Sequence, residues 1–541
     1  MREFLILLHY RFLAYRHGAA GARRSLARVG LLGYACFILF NLALAALVFS
    51  VLLPAVEPRF REILLFLLAQ GLSLGAAAIA LSVAGNTALA GLYEAPHLAL
   101  LLAQPVGTWA VHLAGMADVA AAALGLVFGL IAPAWVALGL ASGGDPGFIS
   151  VGLAGLALET LLCAAGVSLA LGLILCRVRA AWLRRAMVAA LVAGMAALVL
   201  ALEAAGIGML RLGVPALMLR AHRVMDAFSF LPHGLAAGAA LAARGGGGAW
   251  LPRLGLLFVL TAGVSAAATI IGGRIYLAGW SNAQETGARA AGPRAAAGAR
   301  KGRPRPLLAM LAKDWLILAR EPLFWADLLV FVLGISFYAW SAGRNPEFAK
   351  GADPALQAFH FFFASFFVIG WLALAGGMAI SREGSSWWRV QAFPLSGRSL
   401  ATAKLWFGAT GAGAFLCQAW AVFALAGLAL PPPGISLVIL AGLTAAFTGA
   451  GLLADLALPD FTLRLGIKMS GAHGGGKAKI VLAMAAGLAV SFATGITYLL
   501  ASFAAGPLAA AALVLLEGCA VLALAAAFGG VLLDRLLVSA S

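Results

Sequence analysis

The strongest constraint on this chain is a series of apolar runs, each long enough to cross a bilayer and separated by short polar or basic segments. A helix of about 20 residues covers about 30 Å of hydrocarbon. Runs of that length lie near 29–54, 63–89, 110–136, 149–176, 186–205, 253–280, 322–342, 357–380, 401–428, 435–457, 478–502 and 506–533. With 63% hydrophobic and 11% charged residues over 541 positions, this much apolar surface cannot hide in one soluble core. In lipid every backbone group must be satisfied internally, so the runs read as helices. The expected fold is an all-α polytopic membrane protein of about twelve transmembrane helices.

Met1–Gly18 sets Arg2, Arg11 and Arg16 among Phe4, Leu5, Tyr10 and Phe12, with no small-residue cleavage site. It reads as an amphipathic helix at the membrane surface, not a signal peptide. Most of the 37 Lys and Arg residues fall on the side that carries both termini, among them Arg23, Arg24, Arg28, Arg177, Arg179, Arg184 and Arg185. Both termini are therefore expected in the cytoplasm. The net charge of +17 then reports topology and attraction to anionic membrane lipids. No aromatic-interleaved basic stripe points to nucleic acid. Arg outnumbers Lys, and Ala and Gly abound, which suggests a GC-rich bacterial coding sequence and a multi-pass protein of the bacterial plasma (inner) membrane.

A Gly-, Ala- and Arg-rich connector, 281–306, divides the chain into a first half, 1–280, and a second, 307–541. Six spans in each half is an even number, so both halves enter the membrane in the same direction. They are expected to be two parallel pseudo-repeats about an axis along the membrane normal. After the second span of each half comes a short patch. The first runs from Tyr93-Glu94 to Pro105-Val106, and the second from Arg382-Glu383 through Trp387-Trp388-Arg389 to Pro394-Leu395. The interval from Glu94 to Glu383 equals that from Pro105 to Pro394, so the patches occupy equivalent places. Taken singly, Trp387 and Trp388 are also what an interfacial aromatic belt carries.

The order of surface helix, two spans, acidic cytoplasmic patch ending in Pro, and four more spans resembles the permease subunits of exporter-type ATP-binding-cassette transporters. The second half carries the better match: Lys313-Asp314-Trp315 through Arg320-Glu321-Pro322, Arg382-Glu383-Gly384, Trp387-Trp388, Pro394-Leu395-Ser396 and Lys404. In the first half Glu94 and Pro105-Val106 match, while Gly107 replaces the serine and Gly115 stands in place of the lysine. The resemblance implies a membrane permease subunit of an exporter, moved through coupling helices by separate ATP-binding-cassette ATPases, two copies of them. The ATPase-coupling residues would be Tyr93, Glu94, Pro105, Arg382, Glu383, Trp387, Trp388, Arg389 and Pro394. It further implies that this chain is not an enzyme and has no nucleotide-binding domain or cofactor, with ATP and Mg on the partner ATPase. An unequal use of the two patches is expected, since the second is richer in charge and aromatic surface.

Other motifs carry less. Gly471-Ala472-His473-Gly474-Gly475-Gly476-Lys477-Ala478 follows the phosphate-loop pattern until Ala478 replaces the Ser or Thr that would hold magnesium, and no strand pattern precedes it. Its His-Gly-Gly-Gly run lacks the Gly-x-Ser-x-Gly turn a hydrolase would need. Cys36, Cys163, Cys176, Cys417 and Cys519 show no metal-ligand or disulfide spacing. Asp118, Glu159, Glu203, Asp327, Asp455 and Glu517 lie in the apolar runs. Asp327 and Asp455 sit near cytoplasmic ends, where solvation accounts for them, while Glu159 and Glu517 lie deeper. A polar path through Glu159 and Glu517 motivates the alternative of a proton-coupled secondary transporter.

Overall fold

The structure is a computed structural model that describes residues 57–93, 98–103, 106–178, 214–244, 248–288, 306–319, 322–343, 396–457 and 475–538. It also describes single residues within 35–54, 182–193 and 354–390. The described residues form helices and no strand. In chain order the helices are α1 (Pro58–Ala88), α2 (Leu98–Leu102), α3 (Thr108–Ala141), α4 (Pro146–Leu175), α5 (Val214–Ala227), α6 (Pro232–Ala243) and α7 (Leu251–Ala288). They continue with α8 (Pro306–Ala319), α9 (Pro322–Gly343), α10 (Gly397–Leu425), α11 (Pro433–Ala457), α12 (Gly475–Ala505) and α13 (Pro507–Val538). Many begin on proline, whose fixed φ suits the first helical turn and whose missing N–H has no intrahelical partner there. At α4, Asp145 completes the start by accepting from the Gly147 and Phe148 amides.

Seven helices have the length and composition to cross a membrane, and they coincide with seven of the twelve expected runs: α1, α3, α4, α7, α10, α11 and α13. The count rises to eight if the bent pair α5–α6 is one span, so twelve is not reached among the described residues. The runs at 29–54, 186–205 and 357–380 lie largely outside those residues, as does the surface helix expected at 1–18. The runs at 322–342 and 478–502 are helical, in α9 and α12.

The α5–α6 pair was not expected. Its two helices meet at 110°, and α6 has 12 residues, which at 1.5 Å per residue is too short to span the bilayer. Its Ala and Gly face is buried, and Ala236 lies so close to α4 that a Cβ on Gly155 would sit 3.0 Å from it. Small residues permit this approach, because lipid offers no hydrophobic drive between helices and dispersion at short range takes its place.

Each half has its own core. In the first, α1, α3 and α4 enclose Trp135 stacked on Phe148 with ring centroids 5.3 Å apart. In the second, α11 is the most buried span. It meets α13 where a Cβ on Gly518 would come within 2.0 Å of the Gly442 carbonyl oxygen. Leu126 and Leu130 of α3 pack against the second core, so the halves touch. Between α12 and α13 the chain reverses at Gly506 (φ +86), a left-handed conformation that glycine adopts without a Cβ clash. Helix α7 turns Phe258, Val259, Ile270 and Leu277 outward, an apolar surface suited to lipid.

Candidate functional site

The richest cluster of charge joins α8, the turn at 380–383 and α10. Along α10 the buried positions Gly397, Leu400, Ala401, Lys404, Phe407, Gly408 and Gly411 recur at helical spacing, so Lys404 lies on the inward stripe. Trp315 of α8 lies against Phe407 with ring centroids 5.3 Å apart and brings its neighbours Lys313 and Asp314 to that stripe. Lys404 Nζ donates to Asp314 Oδ1 at 3.1 Å, Asp314 Oδ2 at 2.9 Å and Glu383 Oε1 at 2.7 Å. An ammonium has three N–H donors, and all three are used. Lys313 Nζ donates to both Glu383 oxygens at 2.6 Å.

Two cations and two carboxylates thus cancel in charge. Their side chains are 0% (Lys404), 2% (Asp314), 4% (Glu383) and 38% (Lys313) exposed. A charge this deep persists only when paired and hydrogen-bonded. Burial alone would raise the Glu383 carboxyl, but the ammonium groups of Lys404 and Lys313 outweigh it and hold the carboxyl below the usual carboxylate range.

The same turn is pinned a second time. Asp455, at the end of α11, accepts from the amides of Ile380 and Ser381 and from Ser381 Oγ at 2.7 Å. Solvation at a span end does not account for this carboxylate: it is fully buried and satisfied by the turn. Further along, Asp534 of α13 accepts from the Gly397 amide at 2.6 Å, and Ser396 Oγ caps the Ser399 amide, which together anchor the start of α10. Ile380, Ser381 and Glu383 are therefore tied to α8, α10 and α11, and the start of α10 to α13. Sequence reasoning assigned Asp455 to solvent and passed over Asp534, because most of their partners are backbone amides, which leave no residue-type signal.

Of the expected coupling residues, Glu383, Trp387 and Tyr93 are described. Glu383 is the hub of the charge cluster. Trp387 is buried with Val390, Leu400, Leu452 and Leu456, so it faces inward. Glu94, Pro105, Arg382, Trp388, Arg389 and Pro394 lie outside the described residues. Tyr93 ends a π-helical turn, Leu89–Tyr93, and is fully buried. Its ring lies 5.6 Å from Tyr276, whose hydroxyl donates to the Leu92 carbonyl at 2.6 Å. At Gly115, the position expected to correspond to Lys404, the Leu92 side chain fills the space: a Cβ there would lie 2.2 Å from Leu92 Cδ2. Around Tyr93 the packing is thus aromatic and aliphatic, while around Glu383 it is ionic.

The deep carboxylates do not meet. Ser73 of α1 donates to Glu159 Oε2 at 2.7 Å, and Glu159 Oε1 has no partner among the described residues. Glu517 stands on α13, partly exposed, with Oε2 unpartnered among the described residues. No hydrogen bond or ion pair among the described residues links the two.

The family model ABC_tran_2, described as "Putative ATP-binding cassette", aligns with residues 20–475. No curated protein and no solved structure matches the chain. The family description assigns the ATP-binding cassette to this chain. It overturns the expectation of a permease subunit of an exporter served by separate ATPases, and with it the expectations that the chain has no nucleotide-binding domain, is not an enzyme and leaves ATP and Mg to a partner. The proton-coupled alternative gains no support. These corrections rest on the family description. The described residues do not themselves fit a nucleotide: they include no strand and no cluster of metal ligands, and in the phosphate-loop-like run Gly471–Ala478 the magnesium-binding hydroxyl is absent from position 478. With most of its length inside the aligned region, the chain belongs to the ABC_tran_2 family.

Proposed function

We propose that this chain is a membrane-embedded protein of an ATP-binding-cassette transport system, and that the charge cluster of α8, the 380–383 turn and α10 is a mechanical joint within it. The observation that supports this reading most is Lys404 bonded at once to Asp314 on α8 and Glu383 on the turn. A surface helix held only by apolar contacts could slide, because such contacts have no direction. Three charge-assisted bonds from one ammonium fix its register, so a push on α8 or on the turn reaches the spans as one movement. Asp455 and Asp534 extend the same tie to α11 and α13.

The remaining readings accompany this proposal. Residues 1–280 and 307–541 are two parallel halves about the connector 281–306. The patches with Tyr93, Glu94 and Pro105 and with Arg382, Glu383, Trp387, Trp388, Arg389 and Pro394 are the coupling segments. The protein resides in the bacterial plasma membrane with both termini in the cytoplasm. The two coupling segments are unequal, with ionic closure in the second half and aromatic closure in the first.

The test is nucleotide-dependent exposure of α8. Leu308 is exposed on α8. In a background with the native cysteines replaced, Leu308→Cys in inverted vesicles from the native host should react with a membrane-impermeant maleimide at different rates with and without Mg·ATP. The difference should vanish in Lys404→Met. Equal rates with and without nucleotide in the chain that retains Lys404 would overturn the proposal.

A further inference from the structure

Helix α7 carries Arg253 and Arg274, and the 20 residues between them include no Asp, Glu, Lys, Arg or His. The two arginines stand 21 positions apart, about 32 Å along a helix axis. That matches about 30 Å of hydrocarbon, so each arginine sits at one boundary of the apolar layer. Neighbouring helices agree at the Arg274 end. Thr108, at the start of α3, donates to the Gly273 carbonyl at 3.4 Å, and Cys176, just past the end of α4, donates to the Ile275 carbonyl at 3.5 Å. Trp109 packs on Gly273, where a Cβ would lie 3.1 Å from its own, yet it stays 37% exposed. Such rings gather at the headgroup level of membranes.

The faces of α7 are divided among its neighbours. Gly272 and Tyr276 meet His112 of α3, while Ile275 and Gly279 meet Gly172 and Leu175 of α4. At about 100° per residue, Arg274 then points away from both helices. It is exposed, and so are Ile270, Ile271 and Leu277 around it. The two arginines differ in what they have already bonded. Arg253 donates to the Gly238 carbonyl at 2.8 Å, whereas Arg274 has no hydrogen bond or ion pair among the described residues. The acid that follows on α7, Glu285, stands 11 positions on, about 16 Å along the axis and too far for an ion pair. Acyl chains that cover Ile270, Ile271 and Leu277 carry their own phosphates to the height of Arg274. A guanidinium fork can hold two phosphate oxygens at once. Arg177, exposed beside Cys176, adds positive charge at the same end of the bundle, which favours a headgroup whose phosphate charge is not cancelled by an ammonium.

We infer that Arg274, with Trp109 beside it, is a binding site for the phosphate of an anionic phospholipid whose acyl chains lie along Ile270, Ile271 and Leu277. This site is separate from the charge cluster and does not depend on the joint proposed there.

The full chain, with its native cysteines replaced, carries bimane at Ile270→Cys, one helical turn into the apolar layer from Arg274. It is placed in phosphatidylcholine vesicles that contain a minor share of either brominated phosphatidylglycerol or brominated phosphatidylcholine. Quenching should show phosphatidylglycerol enriched about fivefold over phosphatidylcholine at this position, the contribution of one arginine near the membrane surface. Arg274→Gln should reduce the enrichment to about twofold or less. Arg253→Gln, at the opposite boundary, and Lys404→Met, in the joint, should leave it unchanged. Equal quenching by the two brominated lipids, as expected if water alone solvates the guanidinium, would overturn the assignment. So would equal losses in Arg253→Gln and Arg274→Gln, as expected of a general attraction by the net charge of +17. Arg274→Lys keeps the charge and should stay nearer the parent value than Arg274→Gln; the reverse order would also overturn the site.

Discussion

Replacing Lys404 with Met tests the joint at its centre. The side chain it removes is fully buried and supplies three of the hydrogen bonds that hold α8 to α10 and the turn. Met matches the length of the lysine stem and keeps most of the packing, so the loss is electrostatic. What remains is two buried carboxylates and one cation, Lys313, which is 38% exposed and, among the described residues, bonded to Glu383. Asp314 loses the ammonium it is bonded to. Removing one partner of a buried ion pair costs about 3–5 kcal/mol, because an uncompensated charge stays behind. At about 1.4 kcal/mol per tenfold change, undocking of α8 becomes more frequent by a factor of at least about a hundred. Hydrogen exchange of the α8 amides, followed by mass spectrometry in nanodiscs, reads this ratio directly where opening is fast compared with exchange chemistry. The triple variant Lys404→Met, Asp314→Asn, Glu383→Gln removes the charges together, leaving Lys313 free to extend to solvent, and should recover most of the protection. Unchanged exchange in Lys404→Met, or equal losses in the single and triple variants, would refute the reasoning.

Further expectations concern the surrounding contacts. The lowered Glu383 carboxyl contributes stability that is complete above its ordinary value of 4.5 and is lost as pH falls from there through its folded-state value. Exchange of α8 should therefore stay flat from neutral pH to about 5 and rise only in more acid solution, after correction for intrinsic rates, and Glu383→Gln should lose that dependence. Asp455→Ala orphans the amides of Ile380 and Ser381 and should lower stability by about 1–3 kcal/mol for each group left unpaired, read as a fall in the midpoint of thermal unfolding in detergent. Gly518→Val drives a side chain into the Gly442 carbonyl and should cost about 1–3 kcal/mol or more of α11–α13 packing, visible as a lower midpoint and lower yield of folded protein.

The sequence made the solvent and the helices legible, because a span of about 20 apolar residues is a physical requirement of the bilayer, independent of its neighbours. The runs of α1, α3, α4, α7, α10, α11 and α13 stood out for that reason. The α5–α6 bend did not, since a 12-residue Ala- and Gly-rich helix satisfies no length rule and acquires its place only by fitting against α4. Glu383 was legible as part of a patch. That it faces inward to Lys313 and Lys404 was not, because residues 21 and 70 positions apart leave no local period to read. Gly115 was legible as a departure from the expected pattern, and Leu92 occupies the space a side chain there would need. The family match corrected the functional reading, which had leaned on short and degenerate motifs.

The central claim is that α8 and α10 move as one body through the charge cluster. The most direct measurement is the distance distribution between spin labels at exposed Leu308 on α8 and exposed Thr402 on α10, in native-lipid vesicles with and without Mg·ATP. The account predicts one narrow distribution that is the same in both states while the joint is intact, and a broad one in Lys404→Met. A broad or nucleotide-shifted distribution in the chain that keeps Lys404, or a narrow one in Lys404→Met, would contradict it.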